Sequence, residues 1–208
     1  MSNEGLLGRT ESAVRDRMSG QAAGHGIDHV MRVLKNARMI HEHAGGDRIV
    51  IELAAVLHDV GDAKFHDGVE RSAEFSREIL SEFGADAELI EKVAHIVDNV
   101  SFRKRETADE LSLEGKVVQD ADRLDALGAI GIVRTIEYGA EFDQPFYVRG
   151  SGGQKTGVGH FYEKLFKLKD LMNTDAARKI AAEREEFMRQ FLHQFFDECE
   201  IDEGEFSI

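Results

Sequence analysis

Residues 48–61 read RIVIELAAVLHDVG, and this stretch gives the strongest indication of the fold class. Residues 49–57 are apolar almost throughout, and the run ends at the ionisable pair His58-Asp59 and at Gly61. A helix that is apolar on all sides lies in a protein core. A buried β-strand is the alternative, but the length of the run, its two alanines and the glycine exit favour a helix. We therefore predict a core helix that carries two polar side chains at its carboxyl end.

More helices are predicted on both sides of this core helix. Apolar residues recur there at the spacing of three and four that is typical of amphipathic helices. Asp47 and Asp86 are candidate N-caps, and Gly84 is a candidate helix stop. The predicted helices span residues 27–43, 70–83, 86–100 and 116 to about 138, with a polar connection over 101–115.

The composition changes over residues 139–159, where GSGGQKTGVG (150–159) contains five glycines and no apolar periodicity. We predict a mobile loop over a cleft in this segment. Helices follow over 160–200, with Asn173 or Thr174 able to cap the last one. The predicted fold class is all-α: one compact domain over 1–208 with a core of about five helices at 20–138 and additional C-terminal helices.

Charge and composition narrow the classes of function. The chain has 208 residues and a net charge of −14, so its field repels polynucleotides. The single Cys199 cannot close an intramolecular disulfide, and no apolar run reaches the roughly 20 residues of a membrane span. We expect a cytoplasmic protein without a membrane or polynucleotide partner, and a homodimer is one option. A small phosphate ester can still bind to this acidic protein if a metal ion and a few cationic side chains neutralise the charge of the ester.

The pair His58-Asp59 is unusual at the end of a core helix, because burying it unpaired costs several kcal/mol. Taken alone, the pair fits a capping Asp and a core His. His29 on an earlier helix, with Asp122 and Asp125 on one face of a later one, changes this reading. Two imidazoles and two carboxylates, with Asp125 as a spare, suit Mn, Fe, Co, Ni, Zn or Mg.

The order and context of these residues resemble the HD-domain phosphohydrolases. His29 lies within HGIDHVMRV, His58-Asp59 within AAVLHDVGD, and Asp122 within QDADRLDALGA. The likeness continues from HFYEKL to MNT and through the Phe-rich last segment, so it covers most of the chain. Within the family, the chain is similar to the small bacterial branch called YedJ- or YpgQ-like.

This resemblance implies an activity and a set of metal ligands. It implies one divalent metal ion held by His29, His58, Asp59 and Asp122, and hydrolysis of (deoxy)nucleoside triphosphates with release of pyrophosphate. Members with two metals carry further histidines between the His-Asp pair and the last Asp. Here that interval contains only His66 and His95, and His66 follows the pair too closely. We therefore expect a mononuclear site.

The resemblance also suggests catalytic roles beyond the metal. Asp62 occupies the position of an acidic residue that orients or deprotonates the attacking water in related nucleotidases, and Asp67 is a supporting residue there. Asp62 as a helix-end carboxylate and Asp67 as a solvated loop residue are the alternatives. Phosphoryl transfer needs cations around the phosphate oxygens. Lys64 is the favoured catalytic cation, and the further candidates for binding the substrate are Arg71, Lys104, Arg123 and Lys164.

Three other functions stay open at this point. The same metal chemistry could act on a nucleoside monophosphate or a cyclic nucleotide. A non-catalytic module that senses nucleotide or metal is the second alternative. The third is a two-iron oxygenase on the same helical scaffold, which would use His95 as a ligand.

Overall fold

A computed structural model of the chain describes residues 3–19, 26–100, 109–149 and 155–201. These residues form nine α-helices and three single-turn 3-10 helices, and they contain no strand. The predicted all-α fold class is therefore confirmed. None of the helices in the described ranges is both long and apolar enough to cross a membrane.

The nine α-helices of the described residues are numbered in chain order. Their bounds are α1 Asn3–Arg17, α2 Ile27–Ala44, α3 Arg48–Leu57, α4 Ser72–Glu82, α5 Ala87–Asn99, α6 Leu113–Asp125, α7 Gly128–Glu141, α8 Gly157–Glu163 and α9 Asp175–Cys199. The 3-10 turns span Ala63–Phe65, Leu165–Lys167 and Lys169–Leu171. The chain forms two compact units, Met1–Asp122 and Arg123–Ile208. The single-domain organisation stays a prediction.

Helix α3 is the centre of the first unit. It packs against α1, α2, α4 and α5, and every residue from Val50 to Leu57 is buried. Asp47 caps its amino end, because its side chain accepts a hydrogen bond from the backbone N–H of Ile49. The predicted core helix and its cap are thus confirmed, and helical packing on all sides explains the apolar run.

The end of α4 also follows the prediction. Gly84 has a φ of +74°, a conformation that glycine adopts without steric cost, and its N–H donates to the carbonyl of Ser81. Asp86 then caps α5 through the N–H of Leu89 at 2.9 Å. The predicted stop and the predicted cap are both confirmed.

Helix α1 is not predicted by the sequence pattern. Its buried residues are Leu6, Leu7, Thr10 and Val14, so only one narrow stripe is apolar. The Thr10 hydroxyl is satisfied within the helix by the carbonyl of Leu6 at 3.0 Å. Packing of that stripe on α3 stabilises a segment whose own periodicity is weak.

The predicted continuous helix over 116–138 is wrong, because the chain breaks between α6 and α7. Leu127 is extended and Gly128 has a φ of +72°. The Arg184 guanidinium donates to the carbonyl of Leu124, which satisfies one of the last acceptors of α6. A glycine able to adopt positive φ and a distant arginine therefore end the helix.

In the second unit, α7 packs against α8 and α9. Thr174 caps α9 through the N–H of Ala177, as predicted. Residues 150–154 of the predicted mobile loop lie outside the described residues. The prediction of an irregular segment up to 159 is wrong at its end, because Thr156 caps α8 through the N–H of Gly159. Backbone hydrogen bonds from Gly157 to Pro145 and from Val158 to Phe146 hold the two flanks together.

Candidate metal centre

Two buried histidines, His29 and His58, lie next to each other inside the first unit. His29 lies in the first turn of α2 and is 2% exposed, and His58 follows the last residue of α3 and is 6% exposed. Their Nε2 atoms lie 3.3 Å apart, and their rings meet edge to face. Because α3 is buried from Val50 to Leu57, its carboxyl end places His58 in the interior.

The hydrogen-bond partner of Nδ1 determines the tautomer of His58. Nδ1 lies 2.9 Å from the carbonyl oxygen of Ala55. A carbonyl only accepts hydrogen bonds, so Nδ1 carries the hydrogen and Nε2 of the neutral ring keeps its lone pair. Metal-binding histidines are commonly held in this way by a backbone carbonyl. His58 is thus oriented to offer Nε2 as a ligand.

Two carboxylates complete the cluster. Asp59 Oδ2 lies 3.5 Å from Nε2 of His29 and 3.5 Å from Nε2 of His58. Asp122 Oδ1, on α6, lies 3.4 Å from Nε2 of His29 and 3.9 Å from Nε2 of His58. The fold therefore brings together all four side chains that the sequence indicated. The carboxylates keep 21% and 36% of their side-chain surface exposed, so the cluster is buried on its imidazole side and reachable on its acidic side.

The charge of Asp122 depends on its neighbours. Burial raises the pKa of Asp122, but the hydrogen bond from His29 and the positive charge that His58 or His29 carries when protonated outweigh it, so this pKa lies below its ordinary value. Asp59 opposes the shift, because it carries the same charge. Asp122 is consequently a carboxylate at neutral pH.

These residues fit a divalent metal ion. Ligand atoms of His29, His58 and Asp59 all lie within 4.8 Å of one another, and Asp122 adds a second carboxylate. Two adjacent carboxylates repel each other, and a cation held between them relieves that repulsion. A mixed set of imidazole nitrogens and carboxylate oxygens suits Mn, Fe, Co, Ni or Zn better than Ca. The cluster can therefore hold a divalent metal ion, whose identity the ligand set leaves open.

The predicted catalytic residues lie on the segment that follows Asp59. Asp62 is buried, its N–H donates to the carbonyl of Asp59, and its Oδ1 accepts the backbone N–H of Lys64 at 2.8 Å. Asp62 thus caps a 3-10 turn, and the alternative prediction of an exposed carboxylate at a helix end is wrong. The side chains of Lys64 and Asp67 are exposed, and Asp67 has a φ of +52°.

The predicted substrate-binding cations have varied surroundings. Arg71 forms a bidentate ion pair with Glu74, and its guanidinium lies over the ring of Phe75. In the second unit, Arg123 donates to the backbone carbonyl of Leu171, and Lys164 is exposed at the end of α8. Lys104 lies outside the described residues. Their roles toward a substrate remain predictions.

Two further expectations concern extra ligands. Asp125, the expected spare ligand, is buried and forms an ion pair with Arg134 at 2.6 Å, so it serves the packing of the second unit. His95 is exposed on α5, where its Nδ1 lies 3.4 Å from the amide nitrogen of Asn99. His66 is half-buried and meets the ring of Phe75 edge to face.

Contacts that support the cluster are not visible in the sequence pattern. Asn36 is buried and donates to the carbonyl of Ala121, the residue before Asp122. Its position seven residues after His29, two turns along the same helix face, is the one signal that could have indicated it. Ser72 accepts a hydrogen bond from the N–H of Gly61 at 3.1 Å, and no local pattern predicts this contact.

Comparison with known proteins places these features in a family context. The family model of the HD domain matches residues 26–127, an interval that contains all four residues of the cluster. The chain is 40% identical to YpgQ of Bacillus subtilis over 183 residues, which cover 87% of each protein.

Solved structures show the same likeness. The crystal structure of B. subtilis YpgQ in complex with ADP superposes with a TM-score of 0.81 at 35% identity, covering 95% of this chain and 97% of that one. A crystal structure of an HD-superfamily hydrolase from Bacillus thuringiensis superposes with a TM-score of 0.82 at 39% identity, covering 97% of this chain and all of that one.

Proposed function

Because this chain belongs to the HD-domain family, we propose that it is a divalent-metal-dependent phosphohydrolase that acts on nucleotides. The observation that carries the proposal is the cluster itself. The Nε2 atoms of His29 and His58 lie 3.3 Å apart, and one carboxylate oxygen of Asp59 and one of Asp122 each lie 3.4–3.9 Å from both of them. We assign these four side chains as the ligands of one metal ion, with Mn, Co, Ni, Mg, Fe and Zn as the candidate ions.

The proposed chemistry divides between the ion and the chain. When bound, a divalent cation supplies Lewis-acid activation of the phosphate ester and of a water molecule. Asp62 is proposed as the general base that takes the proton of the attacking water, and its hydrogen bond to the N–H of Lys64 fixes the orientation of its carboxylate. The exposed ammonium of Lys64 is proposed to neutralise charge on the phosphate oxygens, with Asp67 in a supporting role.

The proposed reaction is hydrolysis of a (deoxy)nucleoside triphosphate with release of pyrophosphate. The ADP in the YpgQ crystal structure supports a nucleotide as the ligand of this fold. The net charge of −14 disfavours binding of a polynucleotide. It is compatible with a small nucleotide whose phosphates are neutralised by a bound metal ion.

The deciding experiment identifies the products. The full chain, stripped of metal and then reloaded with Mn²⁺ or Co²⁺, is incubated with each nucleoside and deoxynucleoside triphosphate. Release of pyrophosphate and the monophosphate is the expected result. Release of orthophosphate alone rejects the pyrophosphohydrolase. The Asp62→Asn variant is the control for the proposed base: it should bind Mn²⁺ as the wild type does and lose turnover.

The same assay separates the alternatives. A panel of nucleoside monophosphates and cyclic nucleotides is run in parallel, and turnover there alone would assign the enzyme to a different substrate class. If no nucleotide is hydrolysed with any metal while Asp62→Ala still binds nucleotide, the sensing module is supported instead. Metal analysis that finds two irons per chain, lost in His95→Ala, would support the oxygenase.

A further inference from the structure

We propose that Ser72 is a positioning residue of the metal cluster, which it holds in place through the backbone of Gly61. This inference rests on the proposed function, because it assumes that His29, His58, Asp59 and Asp122 bind a metal ion. Ser72 is the first residue of α4 and is 1% exposed. It is therefore a buried hydroxyl that must find partners within the protein.

The first partner is the loop that follows the His-Asp pair. The N–H of Gly61 donates to Oγ of Ser72 at 3.1 Å, and the N–H of Arg71 donates to the carbonyl of Gly61 at 2.9 Å. Both polar groups of the buried Gly61 are thus bound to the start of α4. Two hydrogen bonds in opposite directions fix the distance and the orientation of this loop.

Gly61 permits this contact because it has no side chain. A Cβ atom there would lie 2.6 Å from the backbone carbon of Arg71 and 2.7 Å from the backbone nitrogen of Ser72. The φ of Gly61 is not among the positive values of the chain, so the requirement for glycine is close backbone approach. The loop therefore rests directly on the first turn of α4.

Glu70 sets the direction of the Ser72 hydroxyl. Its Oε1 accepts from Oγ of Ser72 at 2.5 Å and from the N–H of Ser72 at 3.0 Å. Since a carboxylate only accepts, the Ser72 hydrogen points to Glu70, and a lone pair of Oγ is left for the N–H of Gly61. Glu70, Ser72 and Gly61 form one directed chain of hydrogen bonds, which we call the Gly61 clasp.

The Gly61 clasp lies next to the two carboxylates that are proposed to function, Asp59 and Asp62. Asp59 is two residues before Gly61, and Asp62 is the next residue. The N–H of Asp62 also donates to the carbonyl of Asp59, so residues 59–62 form one hydrogen-bonded turn. A clasp that fixes Gly61 consequently fixes both a proposed metal ligand and the proposed base.

The test compares two serines of α4. Ser72→Ala removes the clasp, whereas Ser76→Ala removes a hydroxyl one turn later that is fully buried and donates only along the helix, to the carbonyl of Ser72 at 2.7 Å. Mn²⁺ affinity of the metal-stripped full chain is measured by titration calorimetry without nucleotide. Ser72→Ala should bind Mn²⁺ about 10-fold or more weakly, and Ser76→Ala should stay within about two-fold of the wild type.

Kinetics add a second measurement. At saturating Mn²⁺, Ser72→Ala should lower kcat about 10-fold with a smaller change in KM, because nucleotide contacts outside the turn are kept. Ser72→Thr, which retains the hydroxyl, should restore kcat. Because a smaller folded fraction would also lower the apparent kcat at unchanged KM, kcat is calculated per folded chain, with the folded fraction of each variant measured by urea denaturation. Glu70→Ala, at an exposed position, should shift Mn²⁺ affinity and kcat in the same direction by a smaller factor, and it carries the test if Ser72→Ala does not fold.

Two results overturn the inference. One is a Ser72→Ala protein, or failing that a Glu70→Ala protein, with wild-type Mn²⁺ affinity and kcat. The other is an equal loss in Ser76→Ala. A wild-type chain that binds no metal at all contradicts the proposed function instead, so the two failures are distinguishable.

Discussion

The side-chain amide of Asn36 donates a hydrogen bond to the backbone carbonyl of Ala121, with nitrogen and oxygen 3.1 Å apart. Asn36 lies on α2, two turns after His29, and Ala121 directly precedes Asp122 on α6. Because the donor is 4% exposed, the bond is shielded from water. It links the two helices that carry His29 and Asp122 and sets their register.

Loss of this bond should weaken both the fold and the cluster. Asn36→Ala removes the donor and leaves a small void, so we expect the free energy of unfolding to fall by about 1–3 kcal/mol. Mn²⁺ affinity should fall about 10-fold, because Asp122 is no longer held in register with His29. Urea denaturation and calorimetric titration measure these effects. Lys35→Ala, at the exposed neighbouring position, should leave both quantities unchanged, and wild-type behaviour of Asn36→Ala would refute the linking role.

Removal of Asp122 tests the proposed ligand set directly. Asp122→Ala takes away one of two carboxylates, which leaves the ion undercharged and loosely held. We expect loss of most bound metal and more than about 100-fold loss of turnover, since even outer residues of metal sites contribute 10–100-fold. Elemental analysis of the dialysed protein measures the metal. Glu110→Ala, an exposed carboxylate before α6, is the control, and full metal occupancy in Asp122→Ala would contradict the assignment.

Two glycines should respond in opposite ways to alanine. Gly61→Ala forces a Cβ within 2.6–2.8 Å of backbone atoms of Arg71 and Ser72 and of the Phe75 ring. Such overpacking should destabilise the fold by about 1–3 kcal/mol and lower Mn²⁺ affinity. Gly8 lies within α1, and apart from its chain neighbours and the nearby backbone of its own helix no atom lies within 4 Å of an added Cβ, so Gly8→Ala should stabilise the chain by about 0.5–1 kcal/mol. Thermal unfolding of both variants compares them, and a stable Gly61→Ala protein would argue against close packing at this turn.

The buried Glu52 gives the stability a pH dependence. Burial raises the pKa of Glu52, but hydrogen bonds from Arg38 and Arg48, at 2.7 and 3.0 Å, outweigh it and hold this pKa below its ordinary value of 4.5. A group whose pKa is lowered by folding contributes stability above its unfolded pKa, and that stability is lost as the pH falls through the folded pKa.

Glu52→Gln should therefore lower the free energy of unfolding by about 1–2 kcal/mol at pH 7, and the difference from the wild type should shrink progressively below pH 4.5. Urea denaturation at several pH values measures it. Glu91→Gln is the control, because Glu91 is exposed and its ion pair with Arg77 is screened by solvent. A difference that is independent of pH would show that the charge of Glu52 does not matter.

Local patterns predicted the elements that depend on local chemistry. The apolar run of α3, the caps Asp47 and Asp86 and the turn at Gly84 are confirmed, because each depends on residues within a few positions of one another. The break after α6 was not predicted. One contact at this helix end comes from Arg184, which is about 60 positions away in the chain and donates a hydrogen bond to the carbonyl of Leu124. Helix α1 was missed because packing on α3, rather than its own periodicity, stabilises it.

Helix periodicity in the sequence was enough to predict the all-α fold class. The cluster residues were predicted from two imidazoles and two carboxylates on predicted core helices together with the resemblance to the HD-domain phosphohydrolases. Which atoms face one another depends on the folded chain, because the contacts join residues that are far apart in sequence. The Nε2 of His58 is available because the carbonyl of Ala55 binds Nδ1, and Asp125 is paired with Arg134 instead of joining the cluster. The contact between Gly61 and Ser72 likewise exists only in the fold. Hydrogen-bond direction and close approach depend on distances that the folded chain sets, and residue spacing alone does not contain them.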